Sequence, residues 1–121
     1  MHSININVRS MKITIFSNLF KIDENIFIVE IYQNLHNQKF LHIRMLQKKE
    51  SQNDYFLQEN PLYYEQNNDF SLIFEGQNHQ KLQTKIKKEL TIPLQKLKKD
   101  NYIVYLKNNK NKKQILNIDL L

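Results

Sequence analysis

The chain of 121 residues contains no cysteine, one glycine (Gly76) and two prolines. Without cysteine there is no disulfide framework, no zinc-finger-like cluster and no thiol nucleophile. Without glycine-rich stretches there is no loop able to cradle phosphates. No apolar run approaches the roughly 20 residues with which a helix spans a bilayer. Met1-His2-Ser3-Ile4-Asn5 lacks the charged-then-apolar layout of a signal peptide, so an intracellular location is expected. The four histidines, His2, His36, His42 and His79, have no metal-ligand spacing. The expectation is therefore a protein that is not an enzyme and needs no cofactor.

Asparagine and lysine are abundant, at 16 each, with 15 isoleucines and 11 glutamines. Asparagine tolerates the left-handed backbone region and is expected at turn positions that glycine usually holds. The net charge of +6 is uneven. Residues 1–75 carry seven basic and nine acidic groups, whereas residues 76–121 carry eleven lysines and three acidic groups. The C-terminal third is thus a cationic surface.

Apolar residues alternate along much of the chain, the period of a half-buried strand. Ile4, Ile6 and Val8 alternate in even phase, then Met11, Ile13 and Ile15 in odd phase, which places a bulge or break at Arg9-Ser10. Ser17–Asn25 reads as a polar connection. Ile26–Tyr32 is a nearly continuous β-branched and aromatic run, the pattern of a strand buried on both faces. Gln33–Gln38 makes a turn, and Leu41, Ile43 and Met45 then alternate with His42 and Arg44. Tyr55-Phe56-Leu57 is an apolar island inside the polar stretch 47–60. Leu82, Ile86 and Leu90 recur every four residues, as on a helix face, while Leu82-x-Thr84-x-Ile86 alternates, so residues 81–90 are ambiguous, with strand favoured over helix. Tyr102–Leu106 and Ile115–Leu120 form a terminal hairpin around a basic Asn/Lys turn.

Two stretches carry a resemblance. Glu59-Asn60-Pro61-Leu62-Tyr63-Tyr64-Glu65 leads through a turn into the alternating Phe70, Leu72 and Phe74, and Thr91-Ile92-Pro93-Leu94 is followed by Leu97 three residues on. Together they resemble a divergent C2-type (calcium- and lipid-binding) domain, although Tyr63 stands where that family most often has tryptophan. The resemblance implies an all-β fold, an antiparallel β-sandwich of about eight strands over residues 11–121. Residues 1–10 become an arm or added edge strand. The expected core includes Ile13, Ile15, Ile28, Ile31, Ile43, Tyr63, Phe70, Leu72, Phe74, Ile92, Leu94, Leu106, Ile115 and Ile118.

Calcium binding needs several carboxylates from two loops. One loop offers Asp23 and Glu24, the other reads Lys87-Lys88-Glu89, and a lysine turn cannot supply the cage. A calcium-independent module is expected. Nucleic acid is an unfavoured partner, since no arginine follows Arg44 and no stacking platform interleaves with the lysines. The leading expectation is a structural module docked on other subunits of a larger assembly, ciliary or cytoskeletal, where tubulin presents an acidic surface. Its docking face would comprise Lys96, Lys98, Lys99, Lys110, Lys112 and Lys113, with Ile4, Ile6 and Val8 as an attachment arm adding a strand to a neighbour's sheet. The alternative is a peripheral module holding an anionic membrane through Lys39, His42, Arg44, Lys48 and Lys49.

Overall fold

A computed structural model describes residues 11–46, 69–78 and 80–121. The strands are β1 (Ile13–Ile22), β2 (Asn25–Gln33), β3 (Lys39–Met45), β4 (Phe70–Gly76), β5 (Lys81–Ile86), β6 (Glu89–Pro93), β7 (Asn101–Lys107) and β8 (Lys112–Asp119). A 3-10 turn, Leu94–Lys96, follows β6. The strands form two antiparallel four-stranded sheets, in the orders β1-β2-β3-β6 and β5-β4-β7-β8. The expected all-β sandwich of eight strands is therefore present.

Each inner face follows from alternation. Phe70, Leu72 and Phe74 on β4 oppose Leu106 and Val104 on β7 and Ile86 on β5, and all are buried. On the other sheet Phe27, Val29 and Ile31 lie beside Leu41 and Ile43, which lie in turn beside Ile92. Phe27 and Phe70 join the two layers, with ring centroids 4.9 Å apart at 68°, the edge-to-face arrangement that aromatic quadrupoles favour. Residues 81–90 resolve as strands β5 and β6 around a Lys87-Lys88 turn, so the helical reading falls. Thr84 and Ile86 oppose Leu72 and Phe70, as alternation requires.

Three expectations need correction. Ser17–Asn25 is not a connection: β1 continues to Ile22, and only Asp23 and Glu24 turn the chain. Asp23 adopts φ 55 and Asn37 φ 60, so short polar side chains hold the left-handed turn positions. Ile13 and Ile15 are not core; they are 63% and 52% exposed. A bulge between Thr14 and Phe16 shifts the phase, so Phe16, Phe20 and Ile22 face inward rather than Ile15, while Ile13 pairs with Gln33 at the end of β2, beyond the core. Ile28 is half-buried on the outer face, because the odd-numbered residues of β2 take the core. The expected two-sided burial of this strand is thus one-sided. Tyr63, the Arg9-Ser10 break and the Tyr55–Leu57 island lie outside the described residues.

Among the described residues one charged side chain lies fully within the protein. Asp100 has no exposed surface, and its Oδ1 accepts from the Asn101 amide at 2.8 Å and from Asn78 Nδ2 at 3.1 Å. Its Oδ2 accepts from the Asn78 amide at 3.1 Å, and its carbonyl accepts from the Leu120 amide at 2.9 Å. The carboxylate so ties the β4–β5 turn to the chain entering β7, and the Asp100 carbonyl ties in the chain leaving β8. Gly76 makes room for it: a Cβ there would overlap Asp100 Oδ2 and stand 3.2 Å from the Gln80 carbonyl oxygen. Gly76 does not have positive φ, so its requirement is for space rather than for backbone freedom.

Beside this carboxylate, the Tyr102 hydroxyl donates to the Lys98 carbonyl at 2.6 Å. Burial, and secondarily the Asp100 charge, raise its pKa above the usual 10.0. The native state then holds the phenolic proton more tightly than the unfolded chain. This contribution is complete below pH 10.0 and is lost as pH rises through the raised native value. Denaturant titrations of Tyr102→Phe should show a loss of about 1 kcal/mol at neutral pH from the missing hydrogen bond. They should also show a shallower decline above pH 10.0 than wild type. Parallel alkaline limbs in the two proteins would refute this role.

Candidate docking surface

The sandwich has two loop-bearing ends. At the Asp23 end lie the β1–β2, β5–β6 and β7–β8 turns; at the Asp100 end lie the β2–β3 and β4–β5 turns and residues 94–100. Loops 23–24 and 87–89 do share one end, as calcium coordination would require. The Asp23 carboxylate is already occupied there, with Asn108 Nδ2 on Oδ2 and Asn111 Nδ2 on Oδ1, the latter at 2.7 Å. These amides bind the β1–β2 turn to the β7–β8 turn across the two sheets. Among the described residues no group of three or more histidines or carboxylates could hold a metal ion.

The six lysines expected to form one docking face divide between the ends. Seven-residue strand β7 separates Lys96, Lys98 and Lys99 from Lys110, Lys112 and Lys113. At the Asp23 end most of this charge is engaged. Lys112 Nζ lies 3.0 Å from Glu75 Oε2 and 4.2 Å above the Tyr105 ring, and Lys113 Nζ donates to the Lys21 carbonyl at 3.1 Å. At the Asp100 end, by contrast, Lys96, Lys98 and Lys99 make no ion pair among the described residues. Asp100 is the sole acidic residue between Leu94 and Asn101, and it is buried.

The strand face expected to meet anionic lipid is charge-paired. His42 Nε2 lies 2.9 Å from Glu89 Oε2, and its Nδ1 lies 3.8 Å from Glu30 Oε1. Lys12 also reaches Glu30 at 2.9 Å, and Arg44 stands opposite Glu89 in register. Lys48, Lys49, Ile4, Ile6 and Val8 lie outside the described residues. Lys39, the first residue of β3, points to a different grouping, because it stands at the Asp100 end with Lys99.

Between those two lysines is a crevice of about 310 Å³ lined by Asn37, Gln38, Leu94, Gln95, Leu97 and Leu120 as well as Lys39 and Lys99. Its walls are held in place. Asn34 Oδ1 accepts from the amides of His36 and Gln38 at 2.9 and 3.0 Å, fixing the β2–β3 turn. The Leu97 amide donates to the Leu94 carbonyl at 3.1 Å, fixing the opposite wall. In the sequence, Lys39 and Lys99 fall in different candidate sets, and Leu94 and Leu97 read as part of the Ile-Pro-Leu strand pattern and core, with no site role for them or for the amides. The Asn34-x-x-Asn37-Gln38 turn beside Lys39 was the available signal, but its partner lies some 60 residues away in the sequence. Searches against protein-family models, curated proteins and solved structures found no match to this chain.

Proposed function

We propose that this chain is a non-catalytic structural module, similar to a divergent C2-type domain, that docks on an acidic protein surface within a larger ciliary or cytoskeletal assembly. One observation supports this reading most. At the Asp100 end Lys96, Lys98 and Lys99 project from one loop, with Lys39 beside them, and no exposed carboxylate of that loop offsets them. Asp119, exposed opposite Asn101, offsets one of these charges, and the excess positive charge left at this end orients an oppositely charged partner and accelerates its approach. The lysines of the Asp23 end suit this less well, since Lys112 and Lys113 are spent on internal contacts.

Co-sedimentation with microtubules, whose tubulin is acidic, tests the reading. Reversal of Lys96, Lys98 and Lys99 to glutamate should weaken binding roughly tenfold or more, taking up to about 1 kcal/mol for each exposed charge pair. Reversal of Lys110, Lys112 and Lys113 should have a smaller effect, and wild-type binding should fall steeply with added salt. Equal loss in the two triple variants would place the surface elsewhere. Unaltered binding in both would refute docking through these lysines.

A further inference from the structure

The crevice at the Asp100 end combines an apolar floor with a rim that offers hydrogen-bond donors and no carboxylate. Leu94 is buried and Leu97 and Leu120 are half-buried, so the floor is aliphatic. On the rim, Asn37 Oδ1 already accepts from Gln33 Nε2 at 2.8 Å, and Gln38 Oε1 accepts from Asn34 Nδ2 at 2.9 Å. Each of these amides keeps its NH₂ group to donate, along with one remaining lone pair on its oxygen. Lys39 and Lys99 add two ammonium groups. The two ammonium groups disfavour a cation, and with the NH₂ donors and the leucine floor they favour an anionic acceptor joined to an apolar body.

We infer that the crevice receives one large apolar side chain of an acidic peptide segment, with a neighbouring carboxylate held by Lys39 and Lys99. This rests on the docking reading above and gives it a specificity element. Exposed lysines alone recognise any acidic surface, whereas an apolar socket between them selects acidic segments that carry a leucine, isoleucine or phenylalanine at one position. The volume of about 310 Å³ is at the small end of ligand cavities and suits one side chain rather than a whole cofactor. The hydrogen-bonded β2–β3 turn and the 3-10 turn keep the socket open without a partner, which lowers the ordering cost of binding.

The test uses two fluorescein-labelled peptides, Glu-Glu-Asp-Phe-Glu-Glu-Asp and the same sequence with alanine for phenylalanine, titrated with the full chain by anisotropy. The phenylalanine peptide should bind about tenfold more tightly, or better, the value of burying one such side chain. Gln95→Trp, which fills the crevice without changing charge, should remove that difference and leave alanine-peptide binding unchanged. Combined Lys39→Glu and Lys99→Glu should weaken both peptides. Equal affinity of the two peptides for wild type, with loss in the charge variant, would overturn the socket and leave docking intact. Absence of binding by either peptide would overturn both. Tight binding of laurate with no preference between the peptides would identify a fatty acid as the occupant and overturn the inference.

Discussion

Gly76→Ala should destabilise the protein by roughly 3 kcal/mol, a large effect for the addition of one methyl group. Overpacking alone costs about 1–3 kcal/mol, and displacing a buried carboxylate from its donors adds to it. The added Cβ would meet Asp100 Oδ2 head-on, with Asp100 Cγ 3.1 Å away and the Gln80 carbonyl oxygen 3.2 Å away on another side. Asp100 cannot yield easily, because both its oxygens are held by Asn78 and Oδ1 also by the Asn101 amide. Nor can the Gln80 carbonyl, which accepts from the Gly76 amide at 2.6 Å. A double-mutant cycle isolates the collision. Asp100→Ala costs stability by stranding two backbone N–H groups, but Gly76→Ala added to it should cost little more, since the space is then vacant. Urea denaturation giving additive effects would show that steric conflict with Asp100 is not the reason for glycine at this position.

Phe70→Ala and Phe27→Ala should each cost about 3–5 kcal/mol, the range for emptying a buried phenylalanine site. Phe27 has no exposed surface and Phe70 has 1%, so neither cavity is open to solvent. Their rings also touch each other across the sandwich, and an edge-to-face pair contributes about 0.5–1.5 kcal/mol beyond its buried area. The double variant should therefore lose less than the sum of the single ones. Ile15→Ala, on an exposed site, should stay within about 0.5 kcal/mol. Ile28→Ala, immediately beside Phe27 on the opposite face of β2, should cost clearly less than Phe27→Ala. The reverse order between those two neighbours would mean that β2 presents its other face to the core.

These contrasts mark where the sequence was legible. Phe70, Leu72 and Phe74 recur every second residue beside Ser71 and Glu75, so their inward face could be read even though Ile73, also buried, interrupts the alternation. Leu41 and Ile43, set against His42 and Arg44, were equally clear. Ile26 to Ile31 is apolar at nearly every position, so periodicity carried no information about which half would face inward. At Ile15 one extra residue in β1 inverts the phase, and a bulge leaves no mark in hydropathy. Nothing in the lysine-rich stretch around Asp100 marks it as buried; its burial depends on Gly76 and Asn78, which belong to another hairpin. The candidate site was least legible for a related reason. Residues flanking a β-strand are close in sequence but stand at opposite ends of the sheet, which divides Lys96–Lys99 from Lys110–Lys113. Lys39 and Lys99 are distant in sequence and meet at one crevice.

The strand order also sets a clock. Ladders β1–β2, β2–β3, β4–β5 and β7–β8 join consecutive strands. Hairpins of this kind close in about 1–10 μs. The other two ladders do not: Leu41 must find Ile92, and Leu72 must find Leu106, across much longer stretches of chain. Closing such loops costs entropy before any contact returns it, and folds dominated by non-local pairing form in milliseconds to seconds, roughly a thousandfold more slowly than a hairpin. During that interval the inner faces of the hairpins are exposed to water and to one another. The last rung of the β4–β7 ladder pairs Gly76 with Tyr102, next to Asp100. The buried carboxylate thus lies where the slow closure is completed, and its hydrogen bonds to Asn78 form only once the two distant segments have met.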